Sequence, residues 1–296
     1  MTHIAAAIGA MAARQADPDL VAAPPKPRRF HDLGARVLSG VLLAALGVGA
    51  AAAGGPWLAA AAAAAVIAMS FEWARMSEPG ALRSAFGFLA AGALGAVLAA
   101  SLGALGWAVA WLAGCAALSA WRRFDWNGRL ETGLGAVYVG APAALLIWLR
   151  AEEGALAILF LFAVIWAADI FAYLGGVLLG GPRVHVALSP QKTWSGLICG
   201  AAAGAGAAYL FARVIGAAAP GLCAAAGLGF AAMGLAGDLI ESFLKRRFGV
   251  KDASGFIPGH GGVLDRIDGL MAATFAAAAL AAAFPHWPAQ LLGFGR

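Results

Sequence analysis

From Val37 to Phe284 the chain is a succession of apolar runs, most of them long enough to cross a lipid bilayer, separated by short polar breaks. A spanning helix takes about 20 residues. Inside hydrocarbon every backbone N–H and C=O must be bonded within the protein, so such runs fold as helices. Composition agrees: 62% of residues are hydrophobic, 12% are charged and the mean hydropathy is +0.83. Soluble domains are roughly half apolar and about a quarter charged. This chain carries too little charge to cover a water-facing surface, and its apolar content excludes bulk disorder. The fold class read from the sequence is an all-α integral membrane protein, a polytopic bundle of about nine transmembrane helices.

The runs divide into candidate spans 37–55, 57–73, 84–101, 103–121, 134–150, 155–178, 196–216, 219–243 and 264–284. The first four are rich in Ala and Gly, and merging two of them gives eight. Residues 1–35 hold Pro18, Pro24, Pro25, Pro27, Lys26, Arg28 and Arg29, and read as a mobile cytoplasmic arm before a single transmembrane catalytic domain, 36–296. With nine spans and a cytoplasmic N-terminus, 17 of the 20 Lys and Arg residues fall on the inner side. Only Arg150, Arg213 and Arg296 fall outside. Cytoplasmic loops are enriched in Lys and Arg, so this division supports the span count and turns the polar loops 179–195 and 244–263 towards the cytoplasm. The net charge of +5 is explained by topology, not by nucleic-acid binding.

Small residues recur at helical spacing, as in Gly200-x-x-x-Gly204, and predict close helix packing. Gly-lined faces also leave room for a homodimer. Trp57, Trp107, Trp121, Trp126 and Trp287 stand near span ends and read as interfacial anchors. Cys115, Cys199 and Cys223 lie in apolar runs with no C-x-x-C spacing and read as small fillers.

Charges within spans are costly and need a reason. Glu72, in Phe-Glu-Trp-Ala-Arg at a span end, reads as a snorkelling interfacial residue. Asp169 lies mid-span with no Lys or Arg within ten residues, so it should face a polar cavity, a cation or a proton path. The densest cluster is region 237–269. Asp238, Glu241, Ser242 and Lys245 follow i, i+3, i+4, i+7 spacing and share one helix face. Asp265 and Asp268 share a face of the next helix. The segment between them is rich in Gly and Pro and cannot be helical. Two carboxylate pairs facing each other across it can hold hard cations such as Mg2+. Lys245, Arg246, Lys251 and Arg266 supply positive charge for phosphates, and Gly259, Gly261 and Gly262 allow close backbone approach to a ligand. In the other polar loop, Ser189, Lys192 and Thr193 precede a helix start and offer donors to an anion.

The pattern Ser242-x-x-Lys-Arg-x-x-x-x-Lys-Asp252, followed by Pro258-Gly-His-Gly-Gly-x-x-Asp-Arg-x-Asp268, resembles the signature of the phosphatidate cytidylyltransferase (CDP-diacylglycerol synthase) family. Segments 166–176 and 189–196 resemble it as well. There are two departures: Ser195 stands where the family usually has Glu, and Gly269 where it often has Ser. The resemblance implies a reaction of CTP with phosphatidate, giving CDP-diacylglycerol and pyrophosphate in a cytoplasm-facing polar cavity. It implies Mg2+ at Asp238, Asp265, Glu241 and Asp268, with Asp169 as a further candidate ligand, and a second cation such as K+. It assigns catalytic work to Asp238, Lys245, Arg246, His260, Asp265 and Arg266. Substrate phosphates fall to Ser189, Lys192, Thr193, Ser242, Lys251, Asp252, Gly261 and Gly262. The implied setting is the bacterial inner membrane. Two rivals stand beside this reading: a CTP-using enzyme acting on a polyprenol or ether lipid, and a cation- or proton-coupled transporter. The transporter would usually show internal repeats, and the His-Gly-Gly cluster occurs once.

Overall fold

A computed structural model describes residues 31–185, 188–257 and 261–292. The helices are α1 (His31–Ala53), α2 (Gly55–Ser77), α3 (Leu82–Ser101), α4 (Leu105–Trp121), α5 (Trp126–Leu179), α6 (Trp194–Val214), α7 (Pro220–Arg247), α8 (Leu264–Ala283) and the short α9 (Trp287–Leu292). Among the described residues six helical stretches are long and apolar enough to cross a membrane, and Ser39–Ala53 and Leu105–Trp121 are shorter apolar helices. The 54-residue α5 is broken at Gly154, whose φ of 84° suits glycine. The spans 134–150 and 155–178 are thus two helical halves hinged at one residue. Helix α1 begins at His31, within the segment 1–35 read as an arm, and residues 1–30 lie outside the described residues.

Polar contacts divide the bundle into two ends. At one end Arg122 and Arg123, after α4, pair with Glu78, after α2, at 3.2 and 3.6 Å. Asp125 caps α5 by accepting from the Gly128 N–H at 2.6 Å, and that bond holds its carboxyl below the ordinary range. Arg247, at the end of α7, reaches Glu131 of α5 at 2.9 Å. At the other end Arg150 donates to the carbonyls of Ala51 and Ala52, which end α1, and Glu153 accepts from the His286 N–H. Of the three basic residues assigned to the outer side, Arg150 lies at this second end.

Small residues set the helix spacing, as expected. A Cβ on Gly200 would lie 2.8 Å from the Ala168 carbonyl, and one on Gly204 would strike Ala231. Helix α6 therefore sits tightly between α5 and α7. Trp57, Trp107, Trp121 and Trp126 are exposed, as interfacial anchors would be, but Trp287 is only 4% exposed. Its ring packs on Phe230 at 5.4 Å and Phe160 at 6.4 Å, so it belongs to the core. One element was not foreseen. Strands β1 (Arg183–His185) and β2 (Ser189–Thr193) form an antiparallel hairpin between α5 and α6.

Candidate active site

Helix α7 presents Asp238, Glu241 and Lys245 along one side, and α8 returns beside it. The two helices approach closely because Gly237 has no side chain. A Cβ there would lie 2.5 Å from the Ala272 Cβ and 2.8 Å from the Asp268 carbonyl. One turn away from the site the crossing continues through Gly234 and Gly269, whose Cα faces are turned to each other. A glycine at 269 therefore suits the closeness of this crossing.

The approach gathers Asp238, Glu241 and Asp268, whose carboxylate oxygens lie within 4.8 Å of one another. Glu241 is 1% exposed, and its Oε1 has no hydrogen-bond partner among the described residues. Three hard oxygen donors, one buried and unsatisfied, fit a divalent cation. Like charges this close and this buried repel strongly unless a cation offsets them. Two lysines do part of that work. Lys192 pairs with Asp238 at 2.6 Å, and Lys245 pairs with Glu241 at 2.8 Å.

Asp265, which the sequence places level with Asp238 as a metal ligand, lies beside Glu241 but outside this trio. Its Oδ1 accepts from Lys245 at 2.7 Å; its Oδ2 accepts from Gly262 N–H at 2.8 Å and Ala253 N–H at 3.2 Å. Both oxygens are engaged by the protein. Lys245 in turn bridges Glu241 at 2.8 Å and Asp265 at 2.7 Å. Arg246 donates to the carbonyls of Leu188 and Val250, tying the hairpin and the loop after α7 to the helix end. Gly261 and Gly262, read from the sequence as allowing close approach of a ligand, each face a carboxylate of the chain. A Cβ on Gly261, whose φ is 86°, would lie 2.9 Å from Asp265 Oδ2, and one on Gly262 would lie 2.7 Å from Glu72 Oε1. The carboxylates these two glycines admit are the protein's own.

A cavity of about 480 Å³ opens beside Asp238 and Asp268 of the trio. Asp169, Asp238, Asp265 and Asp268 line it, together with Arg183, Lys192 and Arg266. Asp169 faces this polar space, as its mid-span position required. It lies ten residues before the end of α5, about 15 Å along a helix rising roughly 1.5 Å per residue. Ser189 and Thr193 also line the cavity. Thr193 Oγ1 accepts from the Gly196 N–H at 3.1 Å and caps α6. Ser195 Oγ meets Thr193 Oγ1 at 2.9 Å and donates to the Gly180 carbonyl, closing the hairpin onto the end of α5. Ser242, Lys251 and Asp252 are not among the described residues lining the cavity, and Lys251 and Asp252 are exposed. His260 lies outside the described residues. Sequence reasoning missed Tyr173, Arg183 and Gln191 as lining residues. Tyr173 was findable, since it follows Asp169 by four and shares its helix face. Arg183 and Gln191 enter through the unforeseen hairpin.

Fold and site together define a membrane-embedded α-helical enzyme class with an acidic cluster set in a cavity edged by cations. The chain belongs to the Cytidylyltransferase family, whose pattern matches residues 34–284. It is 38% identical over 257 residues to a phosphatidate cytidylyltransferase of Brucella abortus, covering 82% of this chain and 91% of that one. The same figures hold for the Brucella suis protein of that name. A phosphatidate cytidylyltransferase of Rickettsia conorii is 33% identical over 177 residues, covering 55% of this chain and 74% of that one.

Proposed function

We propose that the protein transfers the cytidylyl group of CTP to phosphatidate, forming CDP-diacylglycerol and pyrophosphate at the bacterial inner membrane. The observation that carries this reading is the trio Asp238, Glu241 and Asp268 beside cavity cations, in a chain of the Cytidylyltransferase family. A phosphate oxygen of the lipid bonds to the α-phosphorus of CTP. The bond from that phosphorus to the bridging oxygen of the β-phosphate breaks, and its electron pair leaves with pyrophosphate. Such transfer rests on positioning and charge neutralisation. Arg183, Lys192 and Arg266 would orient the anionic groups from the cavity edge. Asp238, Glu241 and Asp268 would hold Mg2+, which when bound neutralises the nucleotide phosphates. Lys245, bridging Glu241 and Asp265, would hold both carboxylates in place. No covalent nucleophile is needed.

This reading keeps nine membrane crossings, counting α5 as two and the shorter α1 and α4 as one each, with the cavity end of the bundle cytoplasmic. The end where Glu78, Arg122, Arg123 and Arg247 gather is the one expected to face the positive-inside compartment. A cysteine placed at Lys251 is expected to react with a membrane-impermeant thiol reagent only after cells are opened. Labelling in intact cells overturns the orientation. Substrate class is tested by offering purified protein CTP with phosphatidate, a polyprenyl phosphate or an ether-lipid phosphate. Phosphatidate should be consumed fastest, and a clear preference for polyprenyl phosphate would overturn the lipid assignment.

A further inference from the structure

Glu72 is 0% exposed, yet neither Lys nor Arg answers its charge among the described ion pairs. Its partners are elsewhere in the chain. Oε1 accepts from the Val263 N–H and Oε2 from the Leu264 N–H, each at 2.8 Å, and the Ser254 hydroxyl donates to Oε1. These two amides begin α8, a helix whose own N-cap position, Val263, offers no side-chain cap. The first amides of a helix have no intrahelical acceptor and carry partial positive charge. A carboxylate from α2, 191 residues away in sequence, therefore supplies the cap. The same side chain ties down Ser254, in the loop that joins α7 to α8.

We infer that Glu72 is a positioning residue for the acidic cluster. It fixes where α8 starts, and Asp265 and Asp268 follow the capped amide by one and four residues. Gly262 is the other half of the arrangement. A Cβ at that position would lie 2.7 Å from Glu72 Oε1, so glycine there is room for the carboxylate, not contact with a ligand. Any shift of α8 along α7 carries Asp268 away from Asp238 and Glu241. Supporting groups of this kind commonly alter metal affinity or activity by about ten- to a hundredfold when lost. The turnover part of this inference rests on the proposed function; the cation-binding part does not.

The test uses the full chain in detergent micelles and two readouts: the Mg2+ concentration giving half of the Mg2+-induced rise in melting temperature, and CTP turnover. In Glu72→Gln one amide hydrogen bond meets an NH2 group instead of oxygen. The Mg2+ requirement should rise, and kcat should fall, on the order of tenfold or more, with KM for phosphatidate unchanged. Gly262→Ala should do the same. In the double variant Glu72→Asp with Gly262→Ala, the carboxylate retracts by about 1.5 Å and should recover part of what Gly262→Ala loses. If Glu72→Gln does not fold, the comparison of Gly262→Ala with the double variant decides. A variant that melts lower but keeps the parent's Mg2+ requirement has a structural defect only, and overturns the inference. So does a double variant no better than Gly262→Ala, or a parent whose melting ignores Mg2+. A parent that binds Mg2+ but leaves CTP intact overturns the functional reading and leaves the positioning role standing.

Discussion

Asp238→Asn is expected to lower Mg2+-dependent turnover of CTP by about a thousandfold, the scale seen when a key electrostatic group is removed from an active site. Asp238 belongs to the trio whose oxygens lie within 4.8 Å of one another, and it lines the cavity. An amide keeps the shape and removes the charge, so cation affinity falls while packing is preserved. Lys192, now without its partner at 2.6 Å, gains freedom to meet substrate phosphate directly. Its rearrangement does not replace a lost metal ligand. Asp265→Asn is expected to lose activity by another route. Its oxygens serve Lys245 and two loop amides, so the variant should show a loosened loop and a lower melting temperature. Turnover by Asp238→Asn near the parent's level would remove Asp238 from the centre.

Lys245→Met is expected to be the most destabilising single change at the site. The ammonium lies between Glu241 at 2.8 Å and Asp265 at 2.7 Å, and its side chain is 13% exposed. Removing one partner of a buried ion pair leaves charge without compensation and costs about 3–5 kcal/mol. Two carboxylates are stranded here, although the open cavity lets water soften the penalty, so a loss of about 3 kcal/mol is expected. Denaturant titration in micelles reads it. Adding Asp265→Asn to Lys245→Met removes one stranded charge and should restore part of the loss. Equal stability of Lys245→Met and the parent would show that the bridge contributes nothing.

The helices were legible because a membrane leaves the backbone little choice. Each of the nine apolar runs falls on a helix, and the break predicted after Arg150 appears at Gly154. The acidic residues of α7 and α8 were legible from their spacing of three and four, which puts them on facing sides of neighbouring helices. Their division of labour was not. Spacing cannot tell that Asp265 turns to Lys245 while Asp268 turns to Asp238, because that choice is made by the amides of Ala253 and Gly262. Glu72 looked like a span-end carboxylate reaching for water. Its true partners are backbone N–H groups, which have no signature in sequence, and they come from a helix at the far end of the chain. The hairpin was hidden for a related reason. Ser189-Pro-Gln-Lys-Thr193 carries the residues of a helix start, and Thr193 does cap α6, but the residues before it pair with Arg183–His185 instead of running free. Arg246 illustrates the same limit: its charge suggested phosphate, and nothing in the sequence signals the carbonyls of Leu188 and Val250 to which it donates.

The measurement that bears most directly on the central claim is the fate of labelled CTP. Purified protein is mixed with phosphatidate in micelles, with Mg2+ or with a chelator. The account predicts CDP-diacylglycerol and pyrophosphate in equal amounts, formed only when CTP, phosphatidate and Mg2+ are all present, and nearly abolished in Asp238→Asn. Pyrophosphate release that ignores Mg2+, or a parent that leaves CTP intact with phosphatidate and Mg2+ supplied, would contradict it.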